Sequence, residues 1–125
     1  MAAAMADRDP EKLKRKLTEF VEGFPLFRLI GFQAIDFGPR WAKMKISFRP
    51  DLCNANGLMH GGIIATLIDA SITQAMLMTD EYDEIRKTRG GMATVDLGVK
   101  YLRPVVRGDA ICEAKIVHLG KRVAH

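Results

Sequence analysis

The longest apolar stretch of the chain runs from Leu58 to Met78, and it limits the fold more than any other segment. Polar residues interrupt it, among them His60 and Asp69, so the stretch does not predict a membrane-spanning helix. Apolar and small residues recur at helical spacing along one face, namely Ile64, Leu67, Ile68, Ser71, Ile72 and Ala75. This pattern predicts a central helix over about residues 60 to 78 that lies across a curved sheet.

Two other segments alternate apolar and polar residues, which is the pattern of a strand with one buried face. The first is Trp41 to Arg49, where one side carries Ala42, Met44, Ile46 and Phe48. The second is Thr94 to Arg103, which alternates in the same way and is followed by Pro104. We predict three further strand segments, which are Gln33 to Phe37, Ala110 to His118 and Lys121 to His125.

The remaining segments predict one helix and two connections. Pro10 and Gly23 bound a run of apolar residues at helical spacing, so we expect a docking helix over residues 10 to 22. Phe24 to Phe32 is interpreted as an apolar connector and Asp80 to Gly91 as a charged surface loop. The order of elements indicates the α+β class, with an antiparallel sheet packed on one long helix. We divide the chain into an N-terminal helix and extension, residues 1 to 23, and one domain, residues 24 to 125.

Composition limits the classes of function. A chain of 125 residues with 48% apolar residues can form one domain with a real core. Its net charge of +4 is mild, and basic and aromatic residues do not interleave as a single-strand platform requires, so we expect no nucleic-acid partner. The spacing of cysteines and histidines fits no metal site, and reduced thiols fit a cytosolic protein. The N-terminus has no apolar core ahead of its charges, so it predicts no secretory signal.

The beginning of the central helix combines two features that suit catalysis. Backbone N–H groups at a helix N-terminus are unpaired and favour negative charge, and Gly61 and Gly62 let a ligand approach the backbone closely. Asp69 lies further along the same helix, where a carboxylate is costly unless it has a partner or a function. Together these features predict hydrolysis of a carbonyl compound.

Each of these residues also has an ordinary structural interpretation. The glycine pair can allow tight packing, His60 can be a helix-start histidine, and Asp69 can belong to a polar stripe on the helix. Asn54 alone is a turn residue, and Thr94 alone shows only strand preference. Their combination at these spacings favours the functional interpretation.

Two segments resemble the hotdog-fold acyl-CoA thioesterases of the phenylacetate-degradation (PaaI) type. They are NANGLMHGGIIATLIDASITQAM, which begins at Asn54, and TVDLGVKYLRPVVRGD, which begins at Thr94. The resemblance implies an antiparallel sheet wrapped around a long central helix, assembled as a homodimer and usually as a homotetramer. It also implies hydrolysis of an acyl-CoA thioester to a free acid and CoA, a reaction of fatty acid metabolism. Family members commonly carry two further strands after the Gly-Lys-Arg segment, so we expect the C-terminal strands to be missing from this sequence.

The resemblance also implies a role for each site residue. Asn54 and the backbone N–H of Gly61 contact the thioester carbonyl, and His60 helps to hold the substrate. Asp69 is the general base or nucleophile, and Thr94 positions the attacking water.

The spacing of these residues indicates that the site is shared between two chains. Gly61 and Asp69 lie eight positions apart, which is about 12 Å along a helix. One carbonyl group cannot reach both, whereas a second copy related by two-fold symmetry can supply the other residue. We therefore expect Asn54, His60 and Gly61 from one chain. Asp69 and Thr94 are expected from the other.

Coenzyme A carries phosphates, so basic residues near the site are candidates for binding it. The candidates follow the second alternating segment and Gly120, and they are Arg103, Arg107, Lys121 and Arg122. No metal or redox cofactor is required, because CoA is part of the substrate. We expect an acyl-CoA as the small-molecule partner, with no nucleic acid and no membrane. A cytoplasmic location is expected, with an organelle matrix as the alternative.

Two alternatives remain open at the sequence level. A hotdog-fold acyl-CoA hydratase or dehydratase would use a histidine with an acidic residue, but His60 and Asp69 are half a turn out of phase on one helix. A non-catalytic acyl-CoA-binding subunit would bind the ligand without turnover. Release of free CoA separates the thioesterase from both.

Overall fold

The computed structural model describes residues 9 to 125. The first eight positions of the predicted N-terminal extension lie outside the described residues. Four helices and three strands are present, and a 3-10 turn spans Pro50–Leu52. The helices are α1 (Pro10–Gly23), α2 (Pro25–Ile30), α3 (Gly61–Leu77) and α4 (Tyr82–Arg89). The strands are β1 (Phe32–Gly38), β2 (Trp41–Ser47) and β3 (Asp109–Lys115).

The three strands form one antiparallel sheet in the order β1-β2-β3. The central strand β2 follows the predicted alternation, because its inward side chains Ala42, Met44 and Ile46 are fully buried. The prediction for this strand is confirmed, except that pairing ends at Ser47. A β-bulge between Ala34 and Asp36 bends β1.

Helix α3 lies across the inner face of the sheet and packs on β2 and β3. The predicted central helix and the α+β class are confirmed. The predicted apolar face is correct for Leu67, Ser71 and Ala75, which are buried, but wrong for Ile72, which is 41% exposed. The buried face is rotated about the helix axis relative to the predicted one, so that it includes Ala70 and Gln74. The sheet therefore covers only part of the apolar surface of the helix.

Helix α1 begins and ends as predicted, to within one residue. The Asp9 side chain accepts hydrogen bonds from the Glu11 and Lys12 backbone N–H groups, which caps the helix. Leu17 and Val21 are fully buried where α1 packs on β1.

Two segments predicted as connections are helical. Phe24 to Phe32 contains α2, whose Phe27 and Ile30 are buried and whose end is a left-handed Gly31 with φ of 73°. Asp80 to Gly91 contains α4, with acidic residues in its first turn and basic residues in its last. This charge order suits the helix dipole, so the charges that suggested a loop stabilise a helix.

The prediction of a strand over Thr94 to Arg103 is wrong. These residues form no ladder, and Val95 and Leu102 are 82% and 87% exposed. Within residues 9 to 125 the sheet has three strands, and none of them pairs with this segment. Alternation describes which side chains a strand would bury, but a strand forms only where a partner strand pairs with it.

The chain reverses at Gly120 and returns toward β3. His125 and His118 exchange backbone hydrogen bonds of 2.8 and 3.1 Å, and Leu119 and Ala124 form an isolated antiparallel bridge. The strand predicted from Lys121 is therefore present only as this single bridge, and β3 ends at Lys115 rather than at His118.

Candidate active site

The loop before α3 is held together by the side chain of Asn54. Its Oδ1 accepts hydrogen bonds from the backbone N–H groups of Asn56 and Leu58, at 2.9 and 3.2 Å. A backbone bridge between Cys53 and Met59 closes the same loop. Because Oδ1 is occupied by two donors, the Nδ2 amide group of Asn54 remains as a donor for a ligand.

The first residues of α3 leave one backbone N–H group without a partner. His60 caps the helix, since its Nδ1 accepts from the Gly62 N–H at 2.9 Å and its carbonyl accepts from Ile63 and Ile64. Within residues 9 to 125, the Gly61 N–H makes no hydrogen bond. The helix dipole adds partial positive charge at this position, so the group suits a carbonyl oxygen that gains negative charge.

A cleft of about 280 Å³ opens beside this helix end. Three of the predicted site residues line it together, which are Asn54, Gly61 and Arg103. The rest of the wall is mostly apolar and consists of Leu58, Met59, Ile64, Tyr101, Leu102 and Pro104. Few polar groups on an otherwise apolar wall are typical of small-molecule sites, and the cleft is slightly smaller than their usual ~300 Å³ lower bound.

Asp69 and Thr94 form a second group. The Thr94 hydroxyl donates to Asp69 Oδ1 at 2.5 Å, although the two residues are 25 positions apart. Asp69 is half-buried in α3, and Oδ2 bonds to no group in the described part of the chain. One carboxylate oxygen is therefore held in place while the other can accept a proton from water.

The two groups do not meet within one chain. Asp69 does not line the cleft, and it lies about 12 Å along the helix from Gly61. The structure thus separates the predicted residues into the same two sets that the sequence assigned to different chains. The shared site across two chains stays a prediction.

The other predicted CoA-binding residues lie away from the cleft. Arg107, Lys121 and Arg122 are exposed, and none of them lines it. Across residues 9 to 125, no group of three or more His, Cys, Asp or Glu side chains could hold a metal ion. No single helix among these residues is long and apolar enough to span a membrane.

Sequence reasoning missed Tyr101, which lies within the predicted strand Thr94 to Arg103. Its hydroxyl donates to the Gly61 carbonyl at 2.8 Å, and its ring lies against the Gly61 Cα. The apolar-polar alternation of this segment does not predict the contact, because the contact depends on how two segments distant in sequence pack.

Comparisons with known proteins bear on the family and the fold of the chain. The family model described as the thioesterase superfamily matches residues 56 to 125. The chain is similar to the medium/long-chain acyl-CoA thioesterase YigI of Escherichia coli, with 28% identity over 134 residues that cover 99% of this chain and 84% of that protein.

Two solved structures share the fold. Thioesterase superfamily member 2 from Mus musculus aligns with a TM-score of 0.73 and 23% identity, covering 90% of this chain and 79% of that chain. The Escherichia coli PaaI protein from the phenylacetic acid degradation operon aligns with a TM-score of 0.69 and 18% identity, covering 88% and 74%. These likenesses confirm the hotdog arrangement of a long helix against an antiparallel sheet. With the family match over residues 56 to 125, they lead to one conclusion: the chain belongs to the thioesterase superfamily, a family of hydrolases.

Proposed function

We propose that this chain hydrolyses an acyl-CoA thioester to a free acid and CoA, in a site shared between two copies. The observation that carries the proposal is the pair of unpaired donors, Asn54 Nδ2 and Gly61 N–H, on the wall of a largely apolar cleft. Such donors suit a carbonyl oxygen whose negative charge grows during acyl transfer.

In the proposed reaction, the thioester carbonyl oxygen accepts from Gly61 N–H and Asn54 Nδ2. Asp69 of the second copy takes a proton from a water molecule, and the water oxygen attacks the carbonyl carbon. The C–S bond then breaks, and the departing CoA sulfur receives the proton from the Asp69 carboxyl group. The Thr94 hydroxyl supports this role, because its hydrogen bond orients the carboxylate and leaves one oxygen for water. Direct attack by the carboxylate through an anhydride is the variant that the same geometry accommodates.

The assembly we propose is a homodimer, and two dimers can pair as a homotetramer. The separation between the two residue sets supports it, because only a second chain can complete the site. Exposed apolar side chains near Asp69 and Thr94 also support the assembly, since Ile72 and Val95 are 41% and 82% exposed in the single chain.

The proposed substrate is an aliphatic acyl-CoA, because the cleft wall is largely apolar and YigI is named for medium and long acyl chains. Arg103 on the wall, with Arg107, Lys121 and Arg122 outside it, would bind the CoA phosphates. The thioester is already activated, so the reaction we propose needs no metal or redox cofactor. A cytoplasmic location, with no nucleic-acid or membrane partner, completes the proposal.

CoA release, followed with a thiol reagent across acyl-CoAs of increasing chain length, tests the proposal. The parent chain should turn over, and Asp69→Ala should not, while light scattering shows the same oligomer for both. Asp83→Asn in α4 is the matched control, because it removes a carboxylate that does not line the cleft. An oligomer that binds acyl-CoA and releases no CoA would contradict the proposal and favour a binding subunit. Addition or loss of water without thiol release would favour a hydratase or dehydratase.

A further inference from the structure

Tyr101 joins the extended segment after α4 to the first residue of α3. Its hydroxyl donates to the Gly61 carbonyl oxygen at 2.8 Å, across 40 positions of sequence. Its ring covers the same residue, since a Cβ added to Gly61 would lie 3.4 Å from ring atoms Cε1 and Cζ. The contact is notable because residues 91 to 100 have no ladder partner that would otherwise hold the segment in place.

The carbonyl that Tyr101 binds belongs to the peptide group between Gly61 and Gly62. The N–H of that same peptide group donates to His60 Nδ1 at 2.9 Å. Because a peptide group is planar, holding its oxygen also holds the direction of its N–H. A hydrogen bond at the oxygen polarises the group and strengthens the donor on the other side.

This chain of hydrogen bonds sets the state of His60. Gly62 N–H can only donate, so Nδ1 must accept, and the neutral ring carries its proton on Nε2. His60 is exposed at the end of α3, so the Nε2–H is a donor for a ligand. A Cβ on Gly62 would lie 3.0 Å from His60 Nδ1, so a larger residue there would press on the His60 ring.

We propose that Tyr101 is a positioning residue for the active site. It clamps the Gly61–Gly62 peptide group, and through the Gly62 N–H it keeps the His60 ring as an Nε2–H donor. Its ring also packs against Gly61, whose own N–H belongs to the preceding peptide group. This inference rests on the proposed function, in which the cleft at Gly61 takes the thioester. Tyr101 acts on the start of α3 and not on the reacting atoms.

The clamp can be tested without any activity measurement. Long-range ¹H–¹⁵N spectra resolve the ring nitrogens of the three histidines, and His60→Ala assigns the His60 signals. The parent should show His60 as a single Nε2–H tautomer, and Tyr101→Phe should mix the tautomers and shift the Gly62 amide signal. Tyr82→Phe changes the second of the two tyrosines and should leave both signals unchanged. Unchanged His60 and Gly62 signals in Tyr101→Phe would overturn the inference.

Kinetics then tests the link to the reaction. Loss of one neutral hydrogen bond should lower kcat/KM of Tyr101→Phe by about fivefold to tenfold. The double variant His60→Ala with Tyr101→Phe should be no slower than His60→Ala alone, because both changes break the same hydrogen-bond chain. Additive losses in the double variant would overturn the positioning role. If the parent releases no CoA, the proposed function fails, and the spectra still decide the clamp.

Discussion

The start of α3 and the middle of α3 hold the two halves of the candidate site, and they are built differently. At the start, the loop, the cap and the peptide groups are tied by hydrogen bonds through Asn54, His60 and Tyr101. In the middle, the Asp69 carboxylate has one partner among residues 9 to 125, Thr94, which lies in an exposed segment without ladder pairing. The first half is held within one chain, whereas the second lies on a partly exposed surface. In the proposed function, assembly with a second copy completes the site.

The largest effect is expected from Asp69→Asn, which keeps the size of the side chain and removes the base. Loss of general-base catalysis should lower kcat by about 10²- to 10⁴-fold. Steady-state CoA release measures it, with light scattering as the check on assembly. Activity within a few-fold of the parent would show that Asp69, in the middle of α3, is not the general base.

Asn54→Asp separates the two roles of Asn54 at the start of α3, which are to hold the loop and to donate to a carbonyl oxygen. The carboxylate still accepts from Asn56 and Leu58 but no longer donates to a carbonyl oxygen. We expect the fold to remain and kcat to fall by about 10²- to 10³-fold, the usual cost of one oxyanion donor. Circular dichroism and CoA release measure the two outcomes. Full activity would mean that Asn54 only shapes the loop.

Thr94→Val tests the hydrogen bond that holds Asp69. Removing the hydroxyl should lower kcat by about tenfold, since one strong hydrogen bond to a charged group is lost. Thr94→Ser retains the hydroxyl and should stay near the parent. A loss in Thr94→Ser with Thr94→Val near the parent would instead point to packing of the Thr94 methyl group.

Mixing two inactive variants tests whether the halves come from different chains. In a heterodimer of Asn54→Ala and Asp69→Ala, one site carries both changes and the other carries neither. Random reassembly should therefore restore about a quarter of the parent activity, measured as CoA release after unfolding and refolding the mixture. A site built within one chain would show no recovery. That result would contradict the assignment of the start and the middle of α3 to different chains.

Local patterns predicted the helix α3 and the strand β2 well, because periodicity and burial act within a few residues. The same reasoning failed for Thr94 to Arg103, whose alternation is as clear as that of β2 but whose ladder partner is not present. It also missed α2 and α4, since their short sequences resemble an apolar connector and a charged loop. For the site, it identified residue types and the division into two sets, but not the partners that hold them.

By itself, then, the sequence determined the central helix with its glycine start and the inward face of β2, and it supplied the candidate site residues. Only the tertiary structure decided that Thr94 bonds to Asp69, that Tyr101 reaches Gly61 and that Arg103 joins Asn54 on the cleft wall. The reason is physical. Helical period and capping depend on neighbours along the chain, whereas these contacts join segments 25 to 49 positions apart and depend on how the chain packs.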